Sequence, residues 1–327
     1  MSYSLTQQAR NAALAALACA ALLGAAAAHA QTDKVTKLIL PVAAGSGVDT
    51  ITRASSKALA TALGTAVVIE NQPGAGGIVG TQALVKSAPD GATLSVVSNN
   101  HVIYPSVYKS LPFDPIKDIT PIAVMGTTPL VLVVNPKVAA KDAKELVALL
   151  KAKPDGLNYA SSGNGTILHL AAEMFLDEAN VKAKHIPYKG VGPMVTDLLG
   201  GQVDFGVLAL PSIQAHLKSG ALRAIGTSSK ARLAAAPEIA TFAEQGLPGY
   251  IVEGWFAVIA PRGLPAAEVK RVNAAFTTAF ASSEVKEAMG KQGNSITIQS
   301  PEQSAEFFKS ELEKYAKLVK KAGVKLD

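Results

Sequence analysis

The amino-acid sequence predicts an α/β fold with mainly parallel sheets, divided between two domains. Short apolar strands alternate with amphipathic helices along the chain, which is the pattern of parallel α/β sheets. The chain has 327 residues, more than one hydrophobic core usually organises. Two breaks, Asn135-Pro136 and Pro248-Gly249, indicate where the chain leaves the first domain and returns to it. We therefore expect a discontinuous first domain, residues 31–134 plus 253–327, around a second domain, residues 135–252, with the two crossings forming a hinge.

The first 30 residues predict a secretory signal peptide that is removed from the mature chain. Arg10 gives a weakly positive start, residues 12–28 are apolar, and Ala28-His29-Ala30 is a small-x-small cleavage site. The apolar run is too short and too rich in alanine to predict a membrane span. Cys19, the only cysteine, lies within this run and fits a lipidation signal poorly, because Leu17 stands one place too late. The exported chain therefore has no thiol for a disulfide, for catalysis or for a metal.

The charge of the chain indicates a mild preference for anions and no nucleic-acid partner. The formal net charge is +6, but the lysines are dispersed and only 5% of the residues are aromatic. A nucleic-acid-binding surface would need basic residues gathered on one face. The basic stretch from Lys314 to Lys325 is expected to be the solvated face of a C-terminal helix.

The stretch from Leu38 to Arg53 predicts a strand, a loop of small residues and a helix in direct succession. Pro41 ends the apolar strand, and no bulky side chain follows between Ala43 and Gly47. The helix is expected to open at Asp49 and Thr50. Because a helix start carries unpaired N–H groups and partial positive charge, it favours a bound anion. A dinucleotide site would also need a third glycine, and Thr50 occupies that position.

A second stretch, Tyr159 to Thr166, repeats this design in the predicted second domain. Ligand sites in parallel α/β sheets lie at the carboxyl ends of strands, and three further strand ends carry suitable residues. Backbone N–H groups, serine hydroxyls and asparagine amides suit a carboxylate. We expect five segments to converge on one cleft between the domains: residues 43–49, Ser98-Asn99-Asn100, residues 161–166, Tyr188-Lys189-Gly190 and Leu208-Ala209-Leu210.

Neither serine loop has the spacing of a catalytic nucleophile. Gly45-Ser46-Gly47 and Ser161-Ser162-Gly163 both lack the residues that separate serine from the glycines in a nucleophile elbow. The histidines show no metal-ligand spacing, and His169 is expected to pack or to cap rather than to act as a base. The sequence therefore predicts a binding protein that is not an enzyme, with no catalytic residue, no metal and no cofactor.

Two further segments are expected to be ordinary connections. Residues 74–80 are glycine-rich and predict a tight loop before a helix. Residues 105–121 contain several prolines and predict a surface loop.

Taken together, these motifs resemble the Bug-type solute receptors of tripartite tricarboxylate transporters. The resemblance covers essentially the whole mature chain, and the motifs are specific as a set rather than singly. In this sequence they are LPVAAGSGVD (40–49), ENQPGAGG (70–77), APDG (88–91), LNYASSGNGT (157–166), PYKG (187–190), DLLGGQVD (197–204) and GWF (254–256).

The resemblance implies a periplasmic binding protein of the type II, Venus flytrap kind, exported with cleavage near Ala30. It implies that a small carboxylate is captured between the domains, partly through bridging waters, and delivered to a membrane permease. We expect the receptor to act as a monomer. The ligand-binding residues that the resemblance implies are Ala44, Gly45, Ser46, Gly47, Asp49, Ser161, Ser162, Gly163, Asn164, Gly165, Thr166, Tyr188 and Lys189.

Two less regular positions, Asn99 and Leu208, are expected to line the site and to set which carboxylate is bound. Related receptors often carry an acidic residue at the position of Leu208, where it could pair with a ligand ammonium. Leucine cannot form that pair, so we expect a carboxylate without an amino group near Leu208. For Lys189 two orientations stay open, towards the ligand or towards solvent.

Two alternative functions remain open at this point. A periplasmic receptor that signals occupancy to a sensor, rather than to a permease, would need the same site. An exported α/β hydrolase would need a nucleophile paired with a base, and the sequence shows no such pair.

Overall fold

The computed structural model describes residues 35–324, and the signal peptide predicted for residues 1–30 lies outside them. Within this range the strands are β1 (Val35–Leu40), β2 (Ala66–Asn71), β3 (Thr93–Ser98), β4 (Ile119–Thr128), β5 (Leu130–Val134), β6 (Asn158–Ser161), β7 (Lys184–Pro187), β8 (Phe205–Ala209), β9 (Arg223–Thr227), β10 (Gly254–Pro261) and β11 (Ser295–Ile296). The α-helices are α1 (Gly47–Leu63), α2 (Ile78–Val85), α3 (Asn100–Val107), α4 (Ala143–Ala152), α5 (Ile167–Ala179), α6 (Val191–Gly200), α7 (Leu210–Lys218), α8 (Ala266–Ala281), α9 (Ser283–Lys291) and α10 (Pro301–Ala322).

The strands form two sheets whose strands run mostly in one direction. The first has the order β11-β4-β10-β3-β1-β2 and the second β7-β6-β8-β5-β9. Strand β1 pairs in parallel with β3, and β6 pairs in parallel with β7 and β8. One inner strand is reversed in each sheet: β10 is antiparallel to β3 and β4, and β5 is antiparallel to β8 and β9. The alternation of strands and helices read from the sequence is therefore confirmed as an α/β fold with two sheets.

The chain passes from the first sheet to the second at Pro129, earlier than the sequence suggested. Strand β5, which the prediction placed in the first domain, is a fully buried inner strand of the second sheet. The break at Asn135 has a local cause instead, because its side-chain amide donates to the carbonyl of Leu198 at 2.8 Å. We call residues 35–128 and 253–324 lobe 1 and residues 130–252 lobe 2.

Helix α3 is a second correction, because its proline had indicated a loop. Pro105 lies inside this short helix, where it removes one backbone donor. Six of the eight helix residues are nevertheless buried, and this packing outweighs the local cost. The helix carries Asn100 and Tyr104 towards the ends of the strands, and Tyr108 follows directly after its last residue.

The C-terminal helix α10 fastens lobe 1 near the crossings. It begins with a capping box between Ser300 and Gln303, and Pro301 occupies its first position as the sequence predicts. The Tyr315 hydroxyl accepts a hydrogen bond from Asn99 Nδ2 at 2.7 Å, and Glu311 accepts one from Trp255 Nε1 at 2.8 Å. Among residues 35–324, no helix is both long and apolar enough to cross a membrane.

His101 predicts a loss of stability in acid. Its ring is 1% exposed and its Nε2 lies 2.7 Å from the carbonyl of Pro115, and burial lowers its pKa to about 4. The unfolded chain takes up this proton near pH 6.5 while the folded chain does not, so stability falls as the pH drops from about 6.5 to about 4. Urea denaturation should show that His101→Gln removes roughly 3 kcal/mol of this loss at pH 4, since glutamine can donate to Pro115 without titrating. An unchanged pH slope in the variant would contradict this assignment.

Candidate ligand site between the lobes

A cleft of about 660 Å³ lies between the two lobes, at the ends of their strands. Lobe 1 contributes the loops after β1 and β2 and part of helix α3. Lobe 2 contributes the loops after β6 and β7, so four of its walls are strand-end segments. The lining residues are Pro41, Val42, Ala43, Ser46, Pro73, Gly74, Ala75, Gly76, Gly77, Asn100, Tyr108, Ser162, Gly163, Asn164, Thr166, Pro187, Tyr188, Lys189, Gly190 and Val191.

A smaller pocket of about 70 Å³ adjoins this cleft and shares Ser46, Asn100 and Ser162 with it. The start of helix α1 and the start of helix α5 both border it. In α1 the Ser46 hydroxyl accepts from Asp49 N at 3.2 Å, so Ser46 is the cap. The N–H groups at the first two helical positions have no acceptor within a helix, and Gly47 and Val48 occupy those positions beside the pocket.

Helix α5 presents its start to the same pocket from the other lobe. Thr166 is its cap, as its hydroxyl accepts from the backbone N of His169. The next N–H, of Ile167, donates to Asn100 Oδ1 of lobe 1 at 2.8 Å, and Leu168 follows at the second helical position. Two helix starts thus direct partial positive charge into one small space, which favours an anion.

Two buried hydroxyls beside the small pocket have no hydrogen-bond partner within the described part of the chain. They are Thr128 Oγ1, on a side chain that is 6% exposed, and Ser212 Oγ. Each hydroxyl is therefore available to donate to an oxygen atom held in the small pocket.

Asp49 shapes the loop after β1 from behind and does not line the cleft. Its carboxylate accepts from Gly45 N at 2.9 Å, Arg53 Nε at 2.9 Å and Asn71 Nδ2 at 3.0 Å. The prediction that the helix opens at Asp49 is therefore wrong by two residues, since Ser46 is the cap and Asp49 the third helical residue.

Asp49→Ala is expected to lower the free energy of unfolding by about 2–4 kcal/mol, because it removes a buried carboxylate that accepts three hydrogen bonds. Asp142→Ala is the matched control: Asp142 caps α4 at a more open position and accepts one bond from Glu145 N, at 2.8 Å. That variant should lose about 1 kcal/mol. Urea denaturation measures both, and equal losses would contradict the role given to Asp49.

The loop after β6 is held in the same way. Ser161 Oγ accepts from Gly163 N at 3.2 Å and is hydrogen-bonded to His185 Nε2 at 2.7 Å. Gly165 N donates to His169 Nδ1 at 3.1 Å, which agrees with the expectation of a packed rather than a basic histidine. Ser161 and Gly165 thus hold the loop, while the residues between them and Thr166 face the cleft.

The structure brings together most of the residues that the sequence assigned to the ligand. They fall into three groups, according to whether they line the large cleft, border the small pocket or lie in the loops behind them. The residues that line the large cleft are Ser46, Ser162, Gly163, Asn164, Thr166, Tyr188 and Lys189. Gly47 and Asn99 border the small pocket. Those that belong to the loops without lining either space are Ala44, Gly45, Asp49, Ser161 and Gly165.

Leu208 lies elsewhere, fully buried in strand β8 and opposite Val131 of β5. Its neighbour Ala209, on the other face of the strand, borders the small pocket instead. The Asn99 side chain reaches the pocket wall but is occupied, since it donates to Tyr315 and accepts from Trp255 N.

Asn100 lines the cleft, as expected for the segment Ser98-Asn99-Asn100, but sequence reasoning missed Tyr108 and the loop of residues 73–77. The loop follows strand β2 and its glycines have positive φ, among them Gly76 at 70°. Its Gly76 carbonyl accepts from Asn100 Nδ2 and from the Tyr104 hydroxyl, both at 3.1 Å. Its position directly after strand β2 could have identified this loop, because the other loops of the cleft also follow the ends of strands.

The lining of the two pockets carries no aspartate or glutamate among the described residues. Lys189 is the one cationic side chain in the lining formed by residues 35–324, and it is exposed. The Tyr188 hydroxyl donates to Asp197 at 2.8 Å, and burial together with this carboxylate raises the pKa of Tyr188 to about 12. Burial also raises the pKa of Tyr108, so both tyrosines of the lining stay neutral at physiological pH. With no carboxylate in the described lining, the site is suited to an anion rather than a cation.

Comparison with known proteins agrees with this geometry. Residues 51–324 match the family described as "Tripartite tricarboxylate transporter family receptor". The chain is 35% identical to protein BugT of Bordetella pertussis (strain Tohama I) over 312 residues, which is 95% of this chain and 96% of BugT.

Two solved structures have the same fold. The periplasmic binding protein BugD is 29% identical, with a TM-score of 0.86 and coverage of 89% of this chain and 99% of that chain. The R. palustris protein Rpa4515, solved with adipate, is 28% identical, with a TM-score of 0.87 and coverage of 90% and 100%. These relatives are solute-binding proteins and not enzymes. Since the family match extends over most of the sequence, the chain belongs to the receptor family of the tripartite tricarboxylate transporters.

Proposed function

We propose that this receptor captures a small organic acid between its lobes, with one carboxylate in the small pocket between helices α1 and α5. The observation that carries the proposal is the convergence of two helix starts and two unpartnered hydroxyls, of Thr128 and Ser212, on one space. A carboxylate accepts about four hydrogen bonds, and the backbone N–H groups of the two helix starts together with these hydroxyls can supply them. The pocket holds about 70 Å³, enough for a carboxylate or a water but not for a whole ligand.

The remainder of the acid would extend into the cleft of about 660 Å³. Its walls alternate apolar surfaces, such as Val42 and Pro187, with polar groups, such as Asn164 and Lys189. A volume of this size is typical of sites for small molecules. Lys189 lies in the wall where a second anionic group could pair with it, although its exposure to water weakens any such pair.

We further propose that the ligand carries no amino group. An ammonium buried in the closed cleft would need a carboxylate partner, and the lining of both pockets lacks one in the described chain. Leu208 no longer bears on this expectation, because it lies in the core of lobe 2. Support also comes from the relative solved with adipate, a carboxylate without an amine.

We also propose where the receptor acts and which protein it serves. It would be exported to the periplasm by residues 1–30, act there as a monomer and deliver its ligand to a tripartite tricarboxylate-type permease. The family name and the periplasmic description of BugD support this reading. We propose as well that the two lobes are separate domains, joined where the chain crosses near residues 129 and 252.

Mass spectrometry of the molecule released on denaturation tests the ligand class. The receptor would be purified from a periplasmic extract without dialysis against competing acids. The Gly47→Val variant, which is expected not to close on a ligand, would be purified in the same way as the blank. We expect an organic acid without an amine in the native sample and not in the blank. An amino acid or a sugar in the native sample alone would overturn the proposal.

Transport and signalling are separated by a second experiment. Proteoliposomes containing the candidate permease would be given labelled acid with or without the receptor. Uptake that requires the receptor supports delivery to a permease. Tight binding without receptor-dependent uptake would favour the alternative, a receptor for a signalling sensor.

A further inference from the structure

Behind the loop after β6 lies a stack of three aromatic rings that touches neither pocket. The His169 and His185 rings are parallel, with centroids 3.9 Å apart, and the Tyr159 ring stacks on His185 at 4.8 Å. The Phe205 ring of strand β8 lies 5.8 Å from the Tyr159 ring. Neither histidine is among the residues that line the two pockets, so neither is placed to touch the ligand.

Each histidine places one ring nitrogen against the loop. His169 Nδ1 accepts from Gly165 N, and since a backbone N–H can only donate, Nδ1 must be unprotonated. The proton of His169 is then on Nε2, whose nearest charged group is Glu173 Oε1 at 3.8 Å. Glu173 in turn accepts a hydrogen bond from the Tyr159 hydroxyl. His185 uses its other nitrogen, Nε2, for Ser161 Oγ.

These two contacts lie at the two ends of the loop that presents helix α5 to the ligand. Ser161 is the last residue of β6, and Gly165 directly precedes the cap Thr166. Gly165 has φ +69°, and a Cβ there would lie 2.4 Å from Val107, so only glycine fits and the orientation of its amide decides the turn. With that amide fixed, Ile167 N donates to Asn100 Oδ1 and Leu168 borders the small pocket.

We propose that His169 and His185 are positioning residues for the carboxylate end of the site, and that their ring-nitrogen hydrogen bonds to Gly165 N and Ser161 Oγ hold residues 161–166 in their binding shape. The proposal rests on the proposed function for its effect on affinity. Burial lowers the pKa of His169 to about 3, with His185 adding to the effect, and burial lowers that of His185 to about 4. Both rings therefore stay neutral at physiological pH.

The first test replaces each histidine in turn by asparagine and by glutamine, whose side-chain amides mimic different ring nitrogens. Asparagine places its oxygen where Nδ1 lies, and glutamine places its amide where Nε2 lies. We expect His169→Asn and His185→Gln to keep the affinity for adipate, measured by calorimetry. His169→Gln and His185→Asn should lose about tenfold, the effect of one hydrogen bond. A merely structural role predicts that affinity follows the melting temperature whichever amide is used, and that result would overturn the proposal.

The second test needs no ligand. In uniformly ¹⁵N-labelled, ligand-free receptor, a ¹⁵N–¹⁵N coupling across the hydrogen bond should connect Gly165 N with His169 Nδ1. The coupling should vanish in His169→Gln while His185 keeps its neutral-ring shifts. Absence of the coupling in the native protein would overturn the proposal. Failure of the native protein to bind adipate would count against that acid as ligand, while the coupling still decides the role of His169.

Discussion

Gly47→Val is expected to lower ligand affinity by about 100-fold, or roughly 3 kcal/mol, while the ligand-free protein folds normally. Gly47 is the first residue of α1, and a Cβ added there would lie 2.8 Å from Ala209 Cβ of lobe 2. The nearest atoms around it all belong to lobe 2. The overlap therefore arises only when the lobes close, so the cost falls on closure and not on either lobe alone.

Gly290→Ala is the matched control, because Gly290 also lies in a helix of lobe 1 and a Cβ there meets no atom within 4 Å. Calorimetry should find its affinity unchanged. Small-angle X-ray scattering should show that ligand contracts the native protein and the control but not Gly47→Val. Contraction and native affinity in Gly47→Val would show that the lobes do not close on the ligand in this way.

Asn100→Asp is expected to weaken ligand binding by about 100-fold or more, because a like charge facing a bound anion costs several kcal/mol. Asn100 lines both pockets, donates to the Gly76 carbonyl and accepts from Ile167 N of the other lobe. Aspartate keeps the size and the acceptor but loses the donor, and its charge would occupy the wall of the anion pocket. Affinity for the native acid, measured by calorimetry at pH 7.5, checks the prediction.

Asn273→Asp is the matched control, because it also replaces an amide donor by a carboxylate but does so away from the site. Asn273 donates to the carbonyls of Ile122 and Gln299 at 2.9 and 3.1 Å, and it lies outside both pockets. This variant should lose stability without losing affinity. If Asn100→Asp and Asn273→Asp bind alike, the ligand does not carry its negative charge beside Asn100.

Local patterns predicted the parts of the site that are built from consecutive residues. Strand, small loop and helix start follow one another in residues 38–53 and again in residues 159–179, so each module could be read without knowledge of its partner. The same reasoning placed both helix starts at strand ends, which is where the structure has them. Their convergence across the cleft was inferred from the rule that ligand sites lie at the carboxyl ends of parallel strands, and the proposed function depends on it.

The errors concern positions decided by long-range packing. Asn99 and Asn100 are neighbours, but the first side chain turns to Tyr315 and the second to the cleft, because helix α3 begins between them. Leu208 and Ala209 differ in the same way, since alternate residues of a strand face opposite sides of the sheet. Strand β5 belongs to the second sheet because it pairs with β8 on one side and β9 on the other. Pairing between strands that are distant in sequence cannot be read from a local pattern.

Calorimetric titration with a matched panel of acids tests the central claim most directly. The panel would contain dicarboxylates, aliphatic and aromatic monocarboxylates, their neutral amides, and aspartate and glutamate beside their deaminated analogues. We predict that at least one acid binds, that its amide does not, and that an amino group on the ligand lowers affinity. Binding of aspartate or glutamate more tightly than of their deaminated analogues, or equal binding of an acid and its amide, would contradict the account.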